Sequence, residues 1–316
     1  MSAISLGINL WSQASDWPEF LAAGQAADRL GYDHLWTWDH LLPIFGELDQ
    51  PVHEGYAALA ALAQATERTR LGLFVGANTF RNPGLAVKSL VTIDHISGGR
   101  AILGLGGAWF EAEHTAFGID FGSGFGQRLN WLAEAVPVAR ALLDGETVTS
   151  EPGGRYAFKD LRILPRPVQS HLPIVIGGSG ERKTLRTVAQ YADIWNAFGS
   201  PETLAAKDAI LRAHCDDVGR DQAEIERTVG CKVTIRRTVE EAQRVVDAAL
   251  DHNRTPRSQA ETDHTFWTGT AEQIADTMLA YRAVGFGTFI VELPAPYDLE
   301  TMETLISVVK PMVDAA

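Results

Sequence analysis

One unit recurs along the chain: an alanine-rich amphipathic helix, a glycine or other small residue, then a short run of β-branched and aromatic residues. It first occurs as Ala22–Leu30, Gly31 and His34–Trp38, then as Leu59–Ala65 leading into Leu71–Val75. Leu85–Ile96 with Ser97-Gly98-Gly99 leads to Ala101–Leu105, Leu185–Gln190 to Ile194–Ala197, and Met278–Val284 with Gly285 to Phe289–Glu292. A rhythm of helix, stop and strand describes parallel strands joined through helical crossovers. The glycines fit the position just past a helix end, where the backbone turns left-handed.

Eight strands are predicted: Ile4–Leu10, His34–Trp38, Leu71–Val75, Ala101–Leu105, Pro173–Ile176, Ile194–Ala197, Val229–Thr234 and Phe289–Glu292. Eight is the number that a closed (β/α)8 barrel requires. The runs are continuously apolar rather than alternating, as in strands covered on both faces. An open doubly wound sheet would carry a glycine-rich fingerprint after its first strand, but Leu10 runs into Trp11-Ser12-Gln13-Ala14. Two stretches interrupt the rhythm. Gly145–Gln169 reads as a hairpin, Thr147-Val148-Thr149 against Tyr156-Ala157-Phe158, with a Pro-rich return. Asn253–Asp263 is polar, contains Pro256 and reads as an exposed loop. Both are taken as insertions at the catalytic face, where barrels set specificity. With no linker or low-complexity tract, the expectation is an α/β TIM barrel, (β/α)8, with insertions in its βα loops, forming one domain over residues 1–316.

The net charge of −13 and the absence of any Lys/Arg block argue against nucleic acid and anionic membranes as partners, since both demand basic groups. No apolar run approaches the roughly 20 residues of a membrane span. Met1–Leu6 lacks the pattern of a signal peptide, so a cytoplasmic protein acting on a small molecule is expected. Cys215 and Cys231 read as core residues. The remaining histidines (His53, His95, His114, His171, His214, His252 and His264) show no metal-binding spacing, and no metal site is expected. No Gly-x-Ser-x-Gly elbow occurs either.

Three segments can carry chemistry. Leu35–His40 ends a strand on Asp39 and His40, at the barrel position that faces an active site. Imidazole titrates closest to neutrality, and a nearby carboxylate can fix its tautomer. Ser97–His114 opens a strand into Gly104-Leu105-Gly106-Gly107-Ala108-Trp109, where glycines admit a flat ligand and Trp109 can wall it. Leu172–Lys183 places Gly177-Gly178-Ser179-Gly180 between a strand and a helix start, an arrangement that offers amide N–H groups to phosphate. No Gly-Lys-Ser/Thr follows, so it is not a Walker loop.

Taken with Gly76–Pro83, these segments resemble the bacterial luciferase-like flavin and deazaflavin oxidoreductases, closest to the actinobacterial subgroup that uses coenzyme F420. The resemblance runs from Gly7-Ile8 through Trp38-Asp39-His40 and Trp109–Gly118 to Glu292–Tyr297. It implies hydride transfer between F420 and a small organic substrate, with His40 as acid/base and Asp39 beside the deazaflavin. Phe74-Val75 matches the family's non-prolyl cis peptide behind the ring. Asn78, Leu105-Gly106, Trp109 and Gly177-Gly178-Ser179-Gly180 match cofactor-binding positions. Alternatives are an FMN-dependent monooxygenase served by a separate reductase and a non-catalytic flavin-binding barrel. The family commonly forms homodimers, and a homodimer is expected here. One position departs from the pattern. Deazaflavin sugar-phosphate dehydrogenases carry a catalytic Glu where this chain has Gly107, which leaves Glu111, Glu113 and His114 as nearby groups without assigned equivalence. The acidic F420 tail needs a basic mouth on this acidic protein, for which Arg81, Arg128, Arg182 and Lys183 are candidates.

Overall fold

The computed structural model describes residues 3–150, 152–258 and 265–316. Six strands pair in chain order: β1 (Ser5–Leu10), β2 (His34–Thr37), β3 (Arg70–Leu73), β4 (Ala101–Leu105), β5 (Ile174–Gly177) and β6 (Ile194–Ala197). β7 (Glu226–Ile235) follows β6, and the last strand, β9 (Thr288–Leu293), pairs with both β7 and β1. All of these pairings are parallel, so eight strands close a barrel with helices alternating around it.

A ninth strand, β8 (Phe266–Gly269), was not expected. It pairs with the outer half of β7, Lys232–Ile235, whereas Thr228–Cys231 pair with β9. The wall therefore divides beyond Cys231 and Val291. Phe-Trp-Thr-Gly is four residues long, half of them only partly buried, and it follows a polar stretch, so no apolar run announces it. The predicted loop Asn253–Asp263 and His264 lie only in part within the described residues, which resume at Thr265.

Local sequence sets the helix ends. Asp16, Asn82 and Ser200 each accept an amide N–H three residues on, at the starts of α1 (Trp17–Leu30), α3 (Pro83–Ser97) and α7 (Pro201–Val218). Gly31 and Gly98 end α1 and α3 at φ +91° and +69°, as the stop signals required. Inside the ring a separate apolar plug of Trp36, Phe74, Ile102, Val175, Ile194 and Ile290 fills the barrel. Gly72 makes room for Trp36, since a Cβ there would stand 2.8 Å from the indole ring.

The insertions at the C-terminal ends of the strands are residues 38–54, after β2, and 106–124, after β4 and including α4 (Glu111–Phe117). The Gly145–Gln169 interruption instead links α5 (Phe125–Asp144) to β5. Its hairpin shrinks to one antiparallel bridge, Val148 with Leu161, backed by a Ser150 amide bond to the Phe158 carbonyl. No helix among the described residues is long and apolar enough to cross a membrane.

Candidate active site

The strand ends surround a cleft of about 540 Å³. Trp38-Asp39-His40 arrive from β2, Phe74-Val75 from β3, Gly106–Trp109 from β4 and Gly177-Gly178 from β5. The Phe74–Val75 peptide is cis. Val75 projects between two glycines, for a Cβ on Gly106 or Gly177 would come within 2.7 or 2.9 Å of its side chain. These glycines thus accommodate Val75 as well as leaving the cleft's edges to bare backbone.

Asp39 lines the cleft but is largely buried in its wall. Its Oδ2 accepts the Ala77 amide at 2.8 Å, and both carboxylate oxygens take Nη1 of Arg81, at 2.9 and 2.8 Å. Arg81 also reaches Glu54 and lies over the Tyr56 ring at 4.6 Å. Loss of hydration pushes the Asp39 carboxyl up to about 6, against the pull of Arg81 and of the Ala77 amide. Asp39 is therefore an anchor that ties β2 to the Gly76–Arg81 loop.

His40 points its Nδ1 at Glu113, 3.0 and 3.2 Å from the two carboxylate oxygens. Glu113 is only 1% exposed and also accepts the Leu41 amide at 2.9 Å. A carboxylate on Nδ1 orients the ring and leaves Nε2 as the nitrogen open to the cleft that His40 lines. The Trp38 and Trp109 rings meet the imidazole edge-on, 5.7 and 5.6 Å between centroids, and restrict its rotation.

The structure sorts the other predicted residues. Trp109, more than half exposed, and Gly178 line the cleft. Ser179 and Gly180 continue the turn ahead of α6 (Thr184–Tyr191), and their amides make no hydrogen bond to another described residue. Asn78 and Leu105 lie behind the wall, outside the cleft lining. Asn78 exchanges hydrogen bonds with Tyr156, whose hydroxyl returns from the 145–169 excursion, and Leu105 belongs to the core. His114 spends both nitrogens internally, on the Phe110 carbonyl and the Thr79 hydroxyl, while Glu111 is exposed and outside the cleft lining. Among the described residues no cluster suits a metal.

Two of the expected mouth cations are unavailable. Arg81 is held by two carboxylates, and Arg128 is buried with its guanidinium 3.7 Å from the Phe121 ring centroid, donating to the Ala108 and Phe121 carbonyls. Arg182 and Lys183 remain exposed, with Lys183 also donating to the Gly126 carbonyl. Lys232 and Glu292, 3.6 Å apart and both buried, line the cleft and were not anticipated. A signal existed: each is a charge two residues beyond an inward-facing position, Gly230 or Ile290, of a buried strand.

The model of the luciferase-like monooxygenase family matches residues 4–289. The chain belongs to that family. Within it, the chain is 30% identical over 226 residues to an F420-dependent glucose-6-phosphate dehydrogenase of Microbacterium testaceum (strain StLB037), a match covering 68% of this chain and 64% of that protein. The matches to curated relatives at the head of the comparison span less than two thirds of those proteins' own lengths. Among solved structures, an F420-dependent secondary alcohol dehydrogenase in complex with an F420–acetone adduct superposes with a TM-score of 0.84 at 18% identity, covering 99% of each chain. The FMN-bound oxygenating constituent of 3,6-diketocamphane monooxygenase from Pseudomonas putida gives 0.76 at 14% identity, covering 98% of this chain and 99% of that one. Proteins named for deazaflavin use and for flavin use thus share this barrel, and at these identities the structural likeness speaks for the fold alone.

Proposed function

We propose that the chain is an F420-dependent oxidoreductase that interconverts a carbonyl group and an alcohol on a small organic substrate, with His40 as acid/base. The observation that carries this reading is His40 held through Nδ1 by the buried Glu113, with its other nitrogen toward the cleft. The residues present suit a flat phosphate-bearing cofactor. Val75 offers an apolar shelf edged by the bare backbone of Gly106 and Gly177, and the uncommitted amides of Ser179 and Gly180 lie at the strand-to-helix turn. A bound deazaflavin supplies or takes the hydride. His40 would hold a proton at Nε2 and deliver it to the oxygen of a carbonyl undergoing reduction, or remove it from the hydroxyl in the reverse direction. Glu113 stabilises the imidazolium between those events. The F420-dependent dehydrogenases among the similar proteins support the choice of cofactor.

The test is reoxidation of reduced F420, without dioxygen, by a panel of ketones. Wild type is expected to turn over. His40→Ala should bind F420 with an unchanged Kd while kcat falls about 10²–10⁴-fold, the usual weight of a general acid. Unchanged kcat in the variant removes His40 from the mechanism.

A further inference from the structure

A second cavity, also about 540 Å³, opens where the barrel wall divides. Beyond Cys231 and Val291 the outer part of β7 leaves β9 to pair with β8, so Lys232–Thr234 and Glu292–Pro294 border a gap that α8 (Val239–His252) roofs. One side of its wall is apolar, with Val233, Val245, Val246, Leu250, Leu293 and Pro294 among the lining residues, and charged residues complete the lining. Phe45, Lys232 and Glu292 line this cavity and the active-site cleft alike, so the two are contiguous. Phe45 is a fixed partition: it stacks on Trp11 at 4.6 Å and 3°, and Gln13 binds its backbone on both sides, through the amide at 3.3 Å and the carbonyl at 2.7 Å.

Apart from Arg244, the charges on this cavity are matched within it. Lys232 faces Glu292 at 3.6 Å, Arg236 faces Asp298 at 2.9 Å and Glu300 at 3.2 Å, and Arg237 faces Glu241 at 3.4 Å. Arg244, on α8, is exposed to solvent. An anion or cation entering the inner part, beside the paired Lys232 and Glu292 and the paired Arg236 and Asp298, would meet no uncompensated partner and would lose its hydration, whereas an uncharged hydrocarbon body meets carbon side chains. The volume lies within the range of small-molecule pockets.

We infer that this cavity is a subsite for the uncharged apolar body of the substrate, whose reacting end extends past Phe45 toward His40. The identity of the reacting end rests on the function proposed above. Filling of the cavity does not.

The experiment uses the full chain without cofactor and two fluorescent probes sharing one ring system, uncharged N-phenyl-1-naphthylamine and its sulfonated analogue 8-anilino-1-naphthalenesulfonate. Ala249→Trp and Val245→Trp each place an indole in the cavity from α8, and thermal melting identifies whichever remains folded. The uncharged probe is expected to bind wild type more tightly than the sulfonate, and a folded variant should raise its Kd at least tenfold while leaving the F420 titration unchanged. Tighter binding of the sulfonate overturns the uncharged class. Uncharged-probe binding that either folded variant leaves intact overturns the site. With F420 and a series of ketones, KM should fall about fourfold for each added methylene until the cavity is full. A flat series alongside normal probe behaviour would count against the substrate role while leaving the cavity and the carbonyl chemistry standing. Absence of turnover with normal probe behaviour would instead place the fault in the proposed function.

Discussion

Replacing Asp39 with Asn sets burial against ion pairing at one carboxyl. Enclosure raises the Asp39 pKa from 3.8 to about 6 even though Arg81 and the Ala77 amide oppose it. In the unfolded chain the group returns to its ordinary value, so between those limits the folded state holds more proton than the unfolded one. Its contribution to stability is then fullest below the unfolded value and is lost as pH rises through about 6. A shift of roughly two units corresponds to about 3 kcal/mol in all, of which about 2 kcal/mol should disappear between about pH 4.5 and about pH 7.5. Urea unfolding at those two pH values, taken as wild type minus Asp39→Asn, isolates the group. Subtraction removes Asp28 and Asp314, whose lowered pKa values act with the opposite slope. The stability difference between wild type and variant should shift by about 2 kcal/mol against wild type from the lower to the higher pH. A difference that stays level, or moves in favour of wild type, would mean that the Arg81 pair outweighs burial and that Asp39 titrates at or below its ordinary value.

Glu113→Gln keeps an acceptor for the Leu41 amide but removes the charge from His40, so kcat should fall about ten- to a hundredfold, the weight of a charged hydrogen bond, at unchanged F420 affinity. Equal losses in melting temperature and in cofactor binding would make Glu113 a packing residue only. Gly178 has φ +121°, so Gly178→Ala should lower the melting temperature, with a strain of about 1–3 kcal/mol. Ser179→Asp, which asks nothing unusual of the backbone, should leave melting nearly unchanged yet weaken F420 and FMN alike by about tenfold or more through repulsion of phosphate. Normal binding by Ser179→Asp would refute the phosphate turn. Neutralising Arg182 and Lys183 together should weaken F420 and flatten its salt dependence; an unaltered salt dependence would remove them as the basic mouth.

The barrel was legible because its strands are buried on both faces and so read as continuous apolar runs, each ahead of a helix. β8 was not, since its four residues pair only with the outer half of β7 and only two of them are buried. At the site, Asp39 and His40 could be read from their place at a strand end. Their partners could not. Glu113 lies 73 residues from His40 and Arg81 lies 42 from Asp39, and only closure of the barrel brings them together. Arg81 and Arg128 looked like free cations because sequence shows a charge without showing what neutralises it. Asn78 lay next to the right loop, but its side chain is turned to Tyr156, a contact set by the excursion between α5 and β5.

The most direct test is the absorption spectrum of the protein purified from a host that makes both F420 and FMN. The account predicts that the bound chromophore has the spectrum of an oxidised deazaflavin and is released on denaturation as F420. A chromophore absorbing well to the red, released as FMN, with F420 held no more tightly than a deazaflavin lacking the acidic tail, would contradict it and make the chain a flavin-dependent monooxygenase.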